Sequence, residues 1–278
     1  MQGAGCRVRG AKVVIRKRFG QHFLEPAWVE KVVRAIAPQP DHAFIEIGPG
    51  AGALTRPLAE RARSVTAFEI DRDLAAALTT ESIPNLTVVQ GDFLQTARPE
   101  SLAPSPCRVV GNLPYNVASP IMFKLIELHA AGVPLVDATL MLQREVAERL
   151  VAPPGSKEYG VLSILIGHAA DVETVLKLPA GAFRPPPKVL SSLVRLRFRA
   201  PHPPVHDAAM FGAIVQAVFT RRRKTMANAL LGLDGRAGPP LPRPAETLAA
   251  AGLDGSRRPE TLSIAEFATL ADIYVQPR

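Results

Sequence analysis

The feature that most restricts this chain is an alternation of short apolar runs with amphipathic segments, in which one run feeds directly into a glycine-rich turn. Ala43 to Ile47 reads as a buried strand. It enters Gly48-Pro-Gly-Ala-Gly52 without a spacer, and a helix follows from Leu54 to Arg61. The pattern then repeats. Ser64–Glu69 is a predicted strand followed by a helix through Leu78; Leu86–Val89 is a strand ending at Gly91-Asp92. Arg108–Val110 is a strand ending at Gly111-Asn-Leu-Pro-Tyr115, with a helix over Ile121–Leu128. Thr139–Gln143 is a strand and Glu145–Leu150 a helix. Strands alternating with helices at this spacing imply a mostly parallel sheet covered on both faces, an α/β Rossmann-like architecture. A helix over Pro26–Ile36, with its proline in the first turn, precedes the first strand. After the apolar strand Ser192–Phe198, a Pro-rich linker at residues 200–204 leads into helical patterns over Ala208–Leu231, Ala245–Ala251 and Ile264–Tyr274. The expected division is therefore a catalytic-type α/β domain over residues 1–200 and a small all-helical domain over residues 201–278.

In open parallel sheets ligands bind beyond the carboxyl ends of the strands, and the chemically informative residues all fall there. Glycines at 48, 50 and 52 suit a backbone that passes close to a ligand. The third glycine comes one residue too early for the dinucleotide-binding fingerprint G-x-G-x-x-G. Glu69, 21 residues after Gly48 at the next strand end, can accept hydrogen bonds from both hydroxyls of a ribose. Ribose is common to S-adenosylmethionine and NAD, so Glu69 alone does not separate them. Asp92 can accept from an adenine amine. At the end of the Arg108 strand, the Asn112 side-chain oxygen and the Leu113 carbonyl form a pair of acceptors able to orient the lone pair of an exocyclic amine, with Pro114 stiffening the turn and Tyr115 offering a stacking face. Pro106-Cys107 is the dipeptide that supplies a nucleophile in cytosine-carbon methylation, but Cys107 precedes its predicted strand, away from the ligand end, and reads as structural.

The formal net charge of +8 points to a polyanionic partner. Its cations form three clusters: an N-terminal arm including Arg16, Lys17 and Arg18; the Arg184 to Arg199 stretch, with Lys188, Arg195 and Arg197, inside a span from Ala182 to His206 that holds no acid; and Arg221-Arg-Arg-Lys224, expected on a helix. Phosphate contacts of this kind position a nucleic acid without reading its sequence. No apolar run reaches the ~18 residues of a membrane span, the N-terminus lacks the apolar core of a secretory signal, and the two cysteines have no metal-ligand spacing. The expectation is a cytoplasmic protein with no membrane association and no metal.

The chain resembles, nearly end to end, the small-subunit (16S) ribosomal RNA adenine N6,N6-dimethyltransferases of the KsgA type. The matching segments are Lys17-Arg-Phe-Gly-Gln-His-Phe-Leu24, Ile45-Glu-Ile-Gly-Pro-Gly-Ala-Gly52, Glu69-Ile-Asp71, Gly91-Asp92, Gly111-Asn-Leu-Pro-Tyr-Asn116, Phe183-Arg-Pro-Pro-Pro-Lys-Val-Leu-Ser-Ser192, Phe219-Thr-Arg-Arg-Arg-Lys-Thr225 and Arg258-Pro-Glu-Thr-Leu-Ser263. The resemblance implies S-adenosyl-L-methionine as cofactor, bound by His22, Leu24, Gly48, Gly50, Glu69, Asp92 and Asn112, and a target base sandwiched between Tyr115 and Phe183. It also implies a small-subunit (pre-30S) rRNA substrate with two adjacent target adenines near its 3′ end, and action as a monomer. Two alternatives stand beside it: an adenine methyltransferase of large-subunit rRNA conferring macrolide resistance, and a non-catalytic RNA-binding assembly factor.

Overall fold

A computed structural model describes residues 7–8, 11–12, 23–102, 105–114, 116–233 and 244–275. Short strands β1 (Arg7–Val8) and β2 (Ala11–Lys12) pair antiparallel, and β3 (Phe23–Leu24) leads into α1 (Pro26–Ile36). Then come β4 (Ala43–Ile47), α2 (Thr55–Ala59), β5 (Ser64–Glu69), α3 (Arg72–Thr80), β6 (Leu86–Gln90) and α4 (Phe93–Thr96). The sheet continues with β7 (Cys107–Asn112), α5 (Ala118–Ala130), β8 (Leu135–Gln143), α6 (Arg144–Leu150), α7 (Val161–Ala169) and β9 (Ala170–Leu178). A two-residue strand β10 (Phe183–Arg184) pairs with β3, and β11 (Ser191–Phe198) closes the domain's strand sequence.

Seven strands form one sheet in the order β6-β5-β4-β7-β8-β11-β9, with β6 through β8 parallel and β11 antiparallel to both its neighbours. The predicted α/β, mostly parallel class holds. Strand order runs outward from β4 through β5 to β6 and then restarts at β7 on the opposite side of β4. That reversal opens a crevice beyond the β4 and β7 tips, where Gly48 and Asn112 lie. Alternate residues serve two cores. Ala43, Ile45 and Ile47 of β4, with Cys107 and Val109 of β7, pack on the α5 face; Phe44 and Val110 pack on the α1 face. Period two therefore places Glu46, Asn112 and Glu69 on the α1 side of the sheet.

The C-terminal segment forms α8 (Ala208–Thr220), α9 (Met226–Ala229), α10 (Pro244–Ala250) and α11 (Ile264–Val275) around a third apolar cluster, which also takes in Tyr159 and Ile164. The continuous helix expected from 208 to 231 is not formed. It stops at Thr220, and the basic run Arg221 to Lys224 lies in a turn rather than on a helix. Beyond that turn the Met226 and Ala227 N–H groups donate to the Arg257 and Gly255 carbonyls, at 2.7 and 3.1 Å, so this part of the chain is tied to a distant segment and not to an α8 ladder. The α7–β9 pair has no clear sequence signature, because an apolar run with no breaker is ambiguous between helix and strand. Cys107 opens β7 instead of preceding it, five residues from Asn112 at the far end of the strand. Burial raises its thiol to about 11, which fits a structural role. No helix among the described residues is long and apolar enough to cross a membrane.

Candidate functional site

Gly48, Gly50 and Gly52 all take positive φ (69, 57 and 79°), the left-handed region glycine tolerates best. At Gly52 the need is also steric, since a Cβ would sit 2.7 Å from Leu78 Cδ2 and 3.0 Å from Arg56 Nη1. The turn is held by Glu69. Its Oε2 accepts the Gly50 N–H and its Oε1 the Asp71 N–H, both at 2.9 Å. Asp71 meanwhile caps α3 by accepting from the Asp73 and Leu74 N–H groups, so the acid at 69 faces the crevice while the acid at 71 starts the helix. Burial raises the Glu69 carboxyl above its ordinary value, opposed by those two backbone donors. A carboxylate has about four acceptor sites, so about two remain for a ligand.

These residues line a cavity of about 610 Å³, within the ~300–1,000 Å³ range of small-molecule sites. The structure brings together Leu24, Gly48, Gly50, Glu69, Asp92, Asn112, Leu113, Pro114 and Phe183 in its walls. Leu24 and Phe183 are cross-strand partners in the β3–β10 pair, so two segments 159 residues apart close one side of it. Asp92 caps α4 by accepting the Leu94 N–H at 3.0 Å. A Cβ built on Gly48 would lie 4.0 Å from the Asn112 carbonyl oxygen, which shows how closely the two strand tips approach. His22, Tyr115, Arg16, Lys17 and Arg18 lie outside the described residues.

Sequence inspection missed Glu46, which also lines the cavity. It is almost fully buried, and its Oε2 has no hydrogen-bond partner among the described residues. Burial raises its carboxyl to about 7; the Thr55 hydroxyl acts against this and the charge of Glu69 with it. The signal was present as a charged residue in an otherwise apolar strand. Phe23, Ile70, Phe93 and Asn116 were likewise not assigned and line the cavity. Three carboxylates and no Lys, Arg or His stand among the described lining residues. In a chain of net charge +8, such a cavity suits a ligand carrying positive charge and a ribose. It does not suit a dinucleotide, whose pyrophosphate is anionic.

The basic clusters separate into exposed and engaged members. Lys188, Arg221, Arg223 and Lys224 are exposed. Arg222 is half-buried, donates to the Ser156 carbonyl at 3.1 Å and lies 3.8 Å from Glu260, so it ties the turn down. The acid-free stretch is answered by acids from neighbouring strands. Arg195 faces Asp137 and Glu173, Arg197 pairs with Glu173 at 2.7 Å, and Arg199 pairs with Asp171 at 2.8 Å. Arg195 is also mostly buried, donating to the Ala35 carbonyl at the end of α1, which removes it from any RNA-facing surface. His168 is buried, its Nε2 2.6 Å from the Pro203 carbonyl oxygen, and burial lowers its pKa; among the described residues no group of three or more His, Cys, Asp or Glu is arranged to hold a metal.

The sequence model of the family described as ribosomal RNA adenine dimethylase matches residues 13–273. Ribosomal RNA small subunit methyltransferase A of Leptothrix cholodnii is 42% identical over 264 residues, spanning 93% of this chain and 91% of the relative. The protein of the same description from Salmonella typhimurium is 43% identical over 263 residues, spanning 92% of each. Among solved structures, a dimethyladenosine transferase from Plasmodium falciparum superposes with TM-score 0.71 at 26% identity, over 90% of this chain and 96% of that one. The 23S rRNA methyltransferase ErmE superposes with TM-score 0.62 at 31% identity, over 91% and 100%.

Proposed function

This chain belongs to the ribosomal RNA adenine dimethylases, which are S-adenosylmethionine-dependent methyltransferases, and we propose that it dimethylates the N6 amines of two adjacent adenines near the 3′ end of small-subunit (16S) rRNA. The observation that carries the site assignment is the approach of the Asn112-Leu-Pro tip to the Gly48–Gly52 turn, inside one cavity walled by three carboxylates and no described cation. The higher identity to small-subunit enzymes (42–43%) than to the 23S enzyme (31%) supports the small subunit as substrate. The gathering of Gly48, Glu69, Asp92, Asn112 and Phe183 in one cavity argues against a binding factor that has lost catalysis.

When bound, S-adenosylmethionine supplies an activated methyl group on a sulfonium. The residues fit it: Glu69 has acceptor capacity left for the ribose hydroxyls, Asp92 an oxygen for the adenine amine, and the Oε2 of Glu46, without a partner among the described residues, an acceptor for the N–H groups of the cationic end. Leu24 and Gly50 supply close apolar and backbone walls, and the reading includes His22 as a ligand. For the target base, the Asn112 side-chain oxygen and the Leu113 carbonyl accept from the exocyclic amine. They turn its lone pair out of conjugation and toward the donor. An amide is not a base at neutral pH, so these groups orient and stabilise rather than remove a proton. Phe183 and Tyr115 hold the flipped base between them. Lys188, Arg221, Arg223 and Lys224, with Arg16, Lys17 and Arg18, contact phosphates of the pre-30S particle, and Arg222 positions the turn between its exposed neighbours. In this reading residues 1–200 carry the chemistry, residues 201–278 dock RNA, and the protein works as a cytoplasmic monomer.

The test is Asn112→Ala with tritiated methyl transfer to under-methylated small and large subunits. Transfer to small subunits should fall about 10²- to 10³-fold, with cofactor and particle binding retained. Undiminished transfer would overturn the site, and wild-type transfer confined to large subunits would overturn the substrate.

A further inference from the structure

We propose that a second, smaller cavity beside the first binds the nucleotide adjacent to the target adenine in the same RNA strand, a subsite that rests on the methyltransferase reading above. This cavity, about 210 Å³, is lined by Gln143, Arg144, Glu145, Lys188, Val189 and Leu190. It adjoins the main cavity through two chain segments. In the β7–β8 ladder Asn112 stands opposite Met141, which lines the main cavity, and Gln143 lies two residues further along β8. Two residues along a strand return to the same face about 7 Å further on. On the other side, Phe183 lines the main cavity, and the chain continuing from it reaches Lys188, Val189 and Leu190. That segment is fixed to β8 by the Ser191–Gln143 pairing and by the Arg144 N–H donating to the Leu190 carbonyl at 2.9 Å.

Position and chemistry agree. A strand that has turned one base into the main cavity presents its neighbour about one extended nucleotide step away, comparable to the ~7 Å that separates Met141 from Gln143 along β8. Its volume accommodates a single base. Val189 and Leu190 are consecutive, 37% and 41% exposed, and offer an apolar platform for a base face. Gln143 carries both a donor and an acceptor for a base edge. Lys188 is exposed at the rim. Among the described residues Arg144 is held by an exposed pair with Glu148 at 3.5 Å, a weak contact in water that a phosphate displaces. Glu145 is the single acid among the described lining residues and stands against two cations. Apolar surface bracketed by cations is what a base with its flanking phosphates recognises, and the acidic main cavity repels such phosphates toward this side.

The experiment compares full-length protein with the double variant Arg144→Ala/Lys188→Ala. Its readouts are kcat and KM for under-methylated small subunits over a salt series, and calorimetric affinity for S-adenosylhomocysteine. The expected result is a particle KM raised about tenfold, with cofactor affinity within about twofold of wild type. The slope of log KM against log salt should also fall by about 1.4, or ~0.7 for each single-strand phosphate no longer neutralised. An unchanged KM and slope would overturn the subsite, as would a parallel loss of cofactor affinity, which would mark the two residues as structural. Failure of the wild-type protein to methylate the particle is a separate outcome that overturns the underlying reading instead.

Discussion

Replacing Glu69 by Gln separates the two tasks assigned to that residue. In the native site each carboxylate oxygen accepts one backbone N–H, from Gly50 and from Asp71, at 2.9 Å each. The remaining acceptor capacity faces the cavity. Gln keeps the shape but converts one oxygen to a donor, so in either amide orientation an NH₂ group confronts a buried backbone N–H. That mismatch costs about 1–3 kcal/mol, lowering Tm by roughly 2–4 °C per kcal/mol for a chain of this size. The lost charged acceptor for the ribose hydroxyls costs about 1.5–3 kcal/mol of binding, equivalent to a Kd raised roughly 10- to 150-fold. Titration calorimetry with S-adenosylhomocysteine, which does not turn over, gives the second quantity, and thermal unfolding gives the first. A fall in Tm with Kd within twofold of wild type would refute the ribose assignment and leave Glu69 as a structural anchor of the glycine turn.

Three further outcomes follow from the same geometry. Glu46 has its carboxyl raised from 4.5 to about 7; the native state therefore holds a proton the unfolded chain has released, and stability present below pH 4.5 is lost as pH rises through about 7. Glu46→Gln removes that penalty, so its urea midpoint relative to wild type should climb between about pH 5 and 8 by the equivalent of up to about 3 kcal/mol; parallel pH profiles would count against the raised carboxyl. Arg108→Met strands Asp137, which Arg108 grips through two hydrogen bonds at 2.9 and 2.8 Å in a mostly buried pair. Stability should fall by about 3 kcal/mol, the low end of the range for a broken buried pair because Arg195 stays 3.8 Å away, and a loss under about 1 kcal/mol in urea unfolding would contradict this. Gly111→Ala puts a Cβ 2.9 Å from both the Ile47 carbonyl oxygen and Leu113 Cδ2, prising apart the two strand tips that frame the site. Methyl transfer should drop about 10²-fold in a protein that still shows its native circular dichroism; full activity would show that the spacing of the tips is not critical.

Much of the fold was legible because the signals are local. Short apolar runs, amphipathic segments and glycine or proline punctuation placed α1, β4, β5 and α11 within a residue or two of where they form. Strand ends followed from the same pattern, so Gly48, Glu69, Asp92 and Asn112 could be assigned to one rim from the topology of parallel sheets alone. Less legible was anything set by a partner distant in sequence. Glu46 looked like a fragment of an apolar strand; its cavity-facing position depends on β4 being central and α2 covering its α1 side. The basic stretch after Ala182 looked free for RNA because no acid lies within it, yet β8 and β9 bring Asp137, Asp171 and Glu173 against it.

The amino-acid order by itself determined the alternation of strands and helices, the parallel sheet it implies and the line of chemically able residues at the strand tips, because periodicity and turn chemistry act over a few neighbouring residues. Only the tertiary structure decided which charges are engaged inside the protein and which face outward. Arg195 reaches a carbonyl 160 residues away, and within the span expected to be one helix the Met226 and Ala227 N–H groups donate to the Arg257 and Gly255 carbonyls. Such competition between local propensity and distant hydrogen-bond partners has no signature in any short window of sequence. It was resolved only when the sheet and the C-terminal helices packed.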